Sequence, residues 1–275
     1  MFYKKIIIKL KIIIRTLITL PSRIFFGNCI SIQNNLFPFL KIKFWKINFS
    51  SMPLVENGYE KIQFNLKNKL IFDIKNQFDE LINNPNKTHT YRNHDKKIIL
   101  NNPFDIRGIK NICKIFDKNL IDYFNGNYKV IKLSCWRTLY DRSVDSPNEK
   151  YIYSNYWHFD DYRSDILKVF VLLNNNTSKN TGSTKLIDRK DTKLATRTLK
   201  FIDTSISNSK FDNYAKEKNL IIHCDGNLGD VFIINTSRCL HSASIPHFGT
   251  YRDLIQFEVT HSNIDKDPFY QLTNI

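Results

Sequence analysis

The stretch WHFDDYRSDILKVFVLLN, residues 157 to 174, places a His-x-Asp pair directly before a long apolar run. Along a β-strand, side chains alternate between the two faces of the sheet. His158 and Asp160 are therefore expected to point to one face, and Trp157 and Phe159 to the opposite face, in the core. Two side chains that can bind a metal thus converge on one side of a predicted strand.

The second half of the chain has the composition of a β protein. From Tyr128 onward, short segments rich in Val, Ile, Tyr and Phe alternate with Asn, Gly, Ser and Asp, which is typical of strands joined by turns. The clearest segments are YKVIKLSCWRTLY, ILKVFVLLN, STKLID, NLIIHC, GDVFIIN and YRDLIQFEVT. We predict a mainly antiparallel β architecture, a sandwich or a jelly roll.

Two helices are predicted ahead of this β region. Apolar residues recur at helical spacing over residues 70–82 and again over residues 106–124. For the second helix, Asn102 is the expected N-cap, Pro103 lies in the first turn, and Gly126 follows the last turn.

Composition limits the number of domains and the redox setting. A chain of 275 residues with 42% hydrophobic residues supports one main domain. Its 5 cysteines include no C-x-x-C pair and no tight cluster, so neither a disulfide framework nor a structural zinc site is indicated. A cytoplasmic location fits this usage best.

The net charge of +15 is unevenly distributed. Residues 1–55 hold nine Lys or Arg and no Asp or Glu, which leaves a surplus of only six positive charges for residues 56–275. Because the body of the protein is only mildly basic, we expect no nucleic-acid partner. We divide the chain into a basic, apolar N-terminal segment (1–55) and a β domain with flanking helices (56–275).

The first 20 residues carry an amphipathic pattern. On a helix, most of the lysines fall on one side and most of the isoleucines and leucines on the other. Charges interrupt the apolar run too often for it to span a bilayer. Two interpretations fit: a helix in peripheral contact with an anionic membrane surface, or an element docked on the domain.

A lone His-x-Asp pair is weak evidence for a metal site, because the pattern also occurs at His223 and Asp225. A third ligand is needed to decide between the two. His241 follows an apolar strand 81 residues after Asp160, and Arg252 lies eleven residues beyond it on the next predicted strand. The second pair lies too close to His241 in sequence for ligands from opposite sides of a jelly roll.

With these residues in place, the chain resembles Fe(II)- and 2-oxoglutarate-dependent oxygenases of the phytanoyl-CoA dioxygenase type. The resemblance rests on the opening stretch, the turn at Gly182, GDVFIINTSRCLHSAS and YRDLIQFEV, and it covers residues 58–260. It implies a double-stranded β-helix, a cupin-like jelly roll, with the N-terminal helices packed outside.

The resemblance also implies roles for individual residues. His158, Asp160 and His241 would bind Fe(II), and Arg252 would grip a carboxylate of the co-substrate 2-oxoglutarate. With dioxygen, such an enzyme hydroxylates a C–H bond of a small-molecule or lipid-like substrate and releases succinate and carbon dioxide. Related halogenases carry a small residue in place of the aspartate, so Asp160 favours hydroxylation.

One position departs from the family pattern. Ala243 stands two residues after the distal histidine, where the family often has a hydroxyl side chain, and Ser242 or Ser244 is a possible substitute. Lys168, at the start of an apolar strand, is a further candidate contact for the co-substrate.

Two other functional classes remain open from the sequence. A cupin-type isomerase or zinc-binding jelly roll would use the same three ligands but has no reason for Arg252 at its spacing. A membrane-surface adaptor with a decayed site would have no reason to keep all four residues.

Overall fold

The computed structural model describes residues 53–63, 69–84, 90–93, 97–140, 155–160, 166–198, 205–206, 208–264 and 267–273. The N-terminal element predicted over the first 20 residues lies outside these ranges. Among the helices of the described ranges, none has the length and apolar character needed to cross a membrane.

The described chain is built mainly from β-strands, with helices before and between them. The α-helices are α1 (Pro53–Glu56), α2 (Lys69–Asn83), α3 (Asp117–Phe124), α4 (Arg189–Thr198), α5 (Asn208–Glu217) and α6 (Tyr270–Thr273). Short 3-10 helices span Ile109–Ile115 and Lys179–Thr181. The strands are β1 (Tyr59–Ile62), β2 (Thr90–Asn93), β3 (Lys97–Asn101), β4 (Tyr128–Leu139), β5 (Trp157–His158), β6 (Leu167–Leu172), β7 (Thr184–Leu186), β8 (Ser205–Ile206), β9 (Ile222–His223), β10 (Val231–Ile234), β11 (His241–Ala243) and β12 (Tyr251–His261).

The strands pair into two antiparallel sheets that pack face to face. The larger sheet has the order β1-β10-β6-β12-β4-β3-β2, and the smaller one has the order β8-β5-β11-β7-β9. Between them, Phe170, Phe232 and Leu254 of the larger sheet share a buried cluster with Leu186 of the smaller sheet. This arrangement is a jelly roll, which confirms the predicted fold class.

Helices cover the outer face of each sheet. Buried residues of α2, such as Ile74 and Phe78, pack with Val169 and Phe257 on the outer face of the larger sheet. Across the molecule, Trp157 of β5 is buried against Phe211 of α5, and their ring centroids lie 5.0 Å apart. The order of layers is therefore helices, large sheet, small sheet, helices, with the inner faces of the two sheets enclosed.

The first predicted helix is confirmed by α2, whereas the second prediction was wrong at its start. Asn102 has a φ of 47° and Gly108 a φ of 86°, and both lie in the left-handed region, where a right-handed helix cannot pass. The chain from Pro103 therefore turns first, forms the 3-10 helix, and becomes α-helical only at α3. The predicted end is confirmed, because Asn125 caps α3 with a φ of 46° and Gly126 follows.

Candidate metal centre

Three side chains that can bind a metal come together where β5 and β11 run side by side. His158 on β5 and His241 on β11 are direct partners in the antiparallel register. Asp160 follows the end of β5, and its backbone N–H donates to the carbonyl oxygen of Thr236 at 3.1 Å. The potential ligand atoms of His158, Asp160 and His241 all lie within 4.8 Å of one another. The fold thus gathers the three residues that the sequence singled out.

Both imidazole rings are oriented by backbone carbonyl groups. His158 donates from Nδ1 to Tyr156 O at 2.8 Å, and His241 donates from Nδ1 to Cys239 O at 3.1 Å. A carbonyl oxygen can only accept, so the proton of each neutral ring is on Nδ1 and the lone pair is on Nε2. The two Nε2 atoms lie 3.8 Å and 3.6 Å from the Asp160 carboxylate oxygens. Outer hydrogen bonds of this kind are typical of histidines that bind metals.

Burial and neighbouring charges set the protonation states of the three candidate ligands. It lowers the pKa of His241 from 6.5 to about 3, with partial opposition from Asp160, and it also lowers the pKa of His158. Burial alone would raise the pKa of Asp160, but positive charge from His241, when protonated, and from Lys168 outweighs this effect and lowers it. At neutral pH the set is therefore two neutral imidazoles and one carboxylate, which fits a facial iron site with open positions.

Lys168 extends the site on one side. Its Nζ lies 2.6 Å from Asp160 Oδ2, and both side chains are largely buried. The sequence suggested a contact between Lys168 and the co-substrate, and that contact stays a prediction. The structure instead shows the ammonium group holding the candidate carboxylate ligand.

The two aromatic residues that flank His158 pack where the alternation of a strand predicts. Trp157 and Phe159 are buried with Phe211 on the face away from the metal centre, as expected. The Trp157 indole N–H donates to Asp212 Oδ1 at 2.6 Å. The backbone at His158 is therefore fixed from behind by a bulky, hydrogen-bonded neighbour.

Arg252, at the start of β12, reaches from the large sheet towards the small one. It is 4% exposed and donates from one terminal nitrogen to Gly182 O at 2.7 Å and to Thr184 Oγ1 at 3.2 Å. Its buried Nε has no acceptor, and no carboxylate of the described residues forms an ion pair with the guanidinium. Burial lowers its pKa to about 10, which still leaves it charged at neutral pH. A buried cation without a counter-charge suits an anionic ligand.

The tight approach at Gly182 depends on the absence of a side chain. Gly182 has a φ of 88°, and a Cβ there would lie 2.8 Å from the ring of Pro246. This turn sets the carbonyl oxygen that Arg252 contacts, so it belongs to the support of the arginine.

The hydroxyl group that lies beside Arg252 belongs to Thr184, on the strand paired with Ala243. Thr184 is the direct register partner of Ala243 and contacts Arg252. Ser242, in contrast, donates its hydroxyl proton to Asn155 O at 2.8 Å, away from Arg252. The sequence did not identify Thr184, because only the pairing of β7 with β11 brings it to this position.

The other histidines of the described residues do not join this group. His223 lies on β9, where its register partner is Lys185. His247 is exposed, and the His261 ring lies 6.4 Å from the ring of Phe124. His89 and His94 are outside the described residues.

Comparison with known proteins supports the fold and no narrower assignment. No family model matches the sequence, and no curated protein matches it, so the phytanoyl-CoA dioxygenase type is not confirmed. The structure is similar to that of the epimerase SnoN in complex with Fe3+, alpha ketoglutarate and nogalamycin RO (TM-score 0.53, 10% identity, 81% of this chain and 87% of that chain). It is also similar to EctD from S. alaskensis with bound Fe (TM-score 0.52, 11% identity, 75% of this chain and 74% of that chain).

A third similar structure is the non-heme alpha ketoglutarate dependent carbocyclase SnoK from nogalamycin biosynthesis (TM-score 0.52, 11% identity, 83% of this chain and 89% of that chain). Identities this low establish a shared fold alone. The class defined by fold and site is therefore a jelly-roll protein with a candidate His-Asp-His metal centre.

Proposed function

We propose that this protein is an Fe(II)- and 2-oxoglutarate-dependent dioxygenase that hydroxylates a small molecule. The observation that carries the proposal is the set of two Nε2 lone pairs and one ionised carboxylate within 4.8 Å, together with a buried arginine that has no carboxylate partner among the described residues. The similar structures add support, because they include complexes with Fe, 2-oxoglutarate and small-molecule ligands.

In this proposal His158, Asp160 and His241 would hold Fe(II), since two imidazoles and one carboxylate are the ligand set of non-heme iron oxygenases. The bound metal and 2-oxoglutarate supply the oxidation of a C–H bond by dioxygen, with succinate and carbon dioxide as co-products. The carbonyl oxygens of Tyr156 and Cys239 keep the imidazoles in the tautomer that offers Nε2 to the metal.

Arg252 and Thr184 would bind the distal carboxylate of 2-oxoglutarate. A guanidinium donates two parallel hydrogen bonds to a carboxylate, and a hydroxyl group adds a third. Gly182 and Thr184 already hold one terminal nitrogen of Arg252, so the rest of the guanidinium is oriented before the ligand arrives.

The reaction type is testable through its products. Purified protein with Fe(II), 2-oxoglutarate and air should form succinate, and Asp160→Ala should not. The consumed substrate should gain the mass of one oxygen atom. An unchanged mass would indicate epimerisation, and the loss of two hydrogens would indicate ring closure or desaturation. Absence of succinate under all conditions would favour the cupin-type metal protein instead.

The N-terminal segment 1–55 supports a separate prediction about location. Full-length protein should sediment with anionic vesicles and be released as salt rises, because each lysine near such a surface contributes about 1 kcal/mol. A variant that begins near Ser51 is the control, and equal binding by it would remove the membrane interpretation.

A further inference from the structure

The inner face of β12 changes from apolar to polar beyond Leu254. Alternate residues share one face of a strand, so Arg252, Leu254, Gln256 and Glu258 point between the two sheets. Leu254 is part of the cluster that fills the space between the sheets. Gln256 and Glu258 are only 2% and 4% exposed, and Gln256 Nε2 donates to Glu258 Oε1 at 2.8 Å. An amide and a carboxylate are thus buried on the face that Arg252 also uses.

The neighbouring strands place further polar groups on this face. Ser134 of β4 is the register partner of Gln256, and Lys132 is the partner of Glu258. Ser134 is 1% exposed, and its Oγ has no hydrogen-bond partner among the described residues. An enclosed hydroxyl group without a partner costs free energy unless a ligand or water completes it.

This polar group lies beside the candidate metal centre. Glu258 is also the register partner of Lys168 on β6, and Lys168 Nζ contacts Asp160. Cross-strand partners on one face have Cβ atoms about 4.5–5.5 Å apart. Glu258 is therefore a direct neighbour of Lys168, and Lys168 in turn contacts Asp160, a proposed iron ligand.

The group also has access to solvent. Lys132 Nζ lies 3.4 Å from Glu258 Oε1, and the Lys132 side chain is 50% exposed. The register of β4 and β12 shifts between Glu258 and Val259, and such bulges re-aim side chains. Lys132 can return to water when a ligand takes its place at the carboxylate.

The geometry points to Ser134, Gln256 and Glu258 as the subsite that recognises the substrate, and to a small molecule bearing an amine or several hydroxyl groups. Glu258 accepts hydrogen bonds from an amine or hydroxyl group of the substrate. Ser134 donates or accepts one more hydrogen bond, and Gln256 holds the Glu258 carboxylate in place. An acyl chain would instead leave all three facing hydrocarbon, which disfavours the lipid-like substrate. This inference names the substrate class of the proposed oxygenase and rests on that function.

Binding can be measured without turnover. Ligand-observed saturation-transfer NMR would be recorded on the full chain without oxygen, both with and without Fe(II) and 2-oxoglutarate. One probe panel contains amino sugars, amino acids and polyols, with glucosamine as a member. The matched panel contains the straight-chain acids from octanoate to tetradecanoate. We expect binding from the first panel only.

Variants locate the binding. Glu258→Gln should weaken the best polar probe about ten- to a hundredfold, and Ser134→Ala about three- to tenfold. Glu217→Gln on the exposed face of α5 removes the same charge and should change nothing. Ser134→Ala is small and isolates the contact even if Glu258→Gln folds poorly.

Two results would overturn the subsite. One is an absence of binding from the polar panel, or binding by the acids instead. The other is equal affinity in Glu258→Gln, Ser134→Ala and wild type. A polar probe that binds as expected to a protein that forms no Fe(II)·2-oxoglutarate complex would contradict the oxygenase and leave the subsite standing.

Discussion

The His-x-Asp pattern occurs twice on the small sheet, and the two copies differ in what the next strand places beside them. His158 ends β5, and the adjacent β11 brings His241 directly opposite. His223 ends β9, and the adjacent β7 brings Lys185 directly opposite. The pattern alone orients two side chains, whereas the neighbouring strand decides whether they meet a third ligand.

The hydrogen bonds around the two copies differ in the same sense. The Nδ1 atoms of His158 and His241 are fixed by backbone carbonyls, but the buried Nδ1 of His223 has no hydrogen-bond partner in the described structure. Asp160 is held by Lys168. The first copy therefore has oriented ligands and outer support, and the second copy has neither.

Two arginines on adjacent strands repeat the contrast. Arg137 of β4 donates to Asp253 at 2.7 Å and 2.6 Å and to Asp79 at 2.7 Å, so its charge is matched within the chain. Within the described part of the chain, the polar groups that Arg252 of β12 contacts are a carbonyl and a hydroxyl group. The matched arginine ties α2 to the large sheet, and the other, which has no carboxylate partner among the described residues, is the one proposed to bind an external carboxylate.

The largest expected effect separates the two His-x-Asp copies. Asp160→Ala should weaken Fe(II) binding by more than about a hundredfold, since loss of an outer partner alone costs 10- to 100-fold. Asp225→Ala should leave the affinity unchanged. Metal titration of both variants tests this, and equal behaviour of the two would end the distinction between the copies.

The two arginines should separate next. Arg252→Ala removes a charge-assisted contact and leaves the 2-oxoglutarate carboxylate unpaired, at about 2 to 5 kcal/mol. Each 1.4 kcal/mol is about tenfold, so affinity for 2-oxoglutarate should fall by about 30-fold to a few thousandfold. Arg252→Lys should restore only part of it, because an ammonium keeps the charge without the planar fork.

Arg137→Lys is the matched control for Arg252. It should lower the free energy of unfolding, because it weakens the bonds to Asp253 and Asp79, and leave 2-oxoglutarate affinity unchanged. Superimposable 2-oxoglutarate titrations for wild type and both Arg252 variants would return Arg252 to a structural role.

The smallest expected effect is a pH dependence of stability in metal-free protein. The folded pKa of His241, about 3, lies below its ordinary value of 6.5, so below pH 6.5 the unfolded chain binds the extra proton. Stability should therefore fall as pH falls, by about 2 kcal/mol between pH 7.5 and 5 for this group. Urea unfolding measures it.

Variants assign this slope to one copy of the pattern. His241→Gln should remove more of the pH dependence than His223→Gln. Burial lowers the pKa of both histidines, but His223 is only half-buried, so the effect of burial on it should be smaller. A larger effect from His223→Gln would contradict the difference in burial between the two sites.

Much of the candidate site was predictable because it depends on local sequence patterns. The alternation of a strand places His158 and Asp160 on one face, and the apolar segments around them predict the sheets that carry His241 and Arg252. The roles of His241 and Arg252 were expected from their distance along the chain and from the family resemblance, both of which a sequence displays directly.

The features that were missed depend on pairing between strands. Thr184 gains its place from the register of β7 with β11, and Ser134 gains its place from the register of β4 with β12. One signal was present: Gln256 and Glu258 are polar at alternate positions of a strand that is otherwise apolar. The start of the second helix was predicted wrongly for a local reason. The apolar spacing continues through Gly108, but the positive φ of this residue interrupts the helix.

The most direct test of the account is the absorption of the anaerobic protein with Fe(II) and 2-oxoglutarate. If His158, Asp160 and His241 hold the metal and Arg252 positions the co-substrate, a weak visible charge-transfer band should appear on mixing. The band should be lost in Asp160→Ala and remain in Asp225→Ala. No band in wild type, or the same band in Asp160→Ala, would contradict the proposed metal centre.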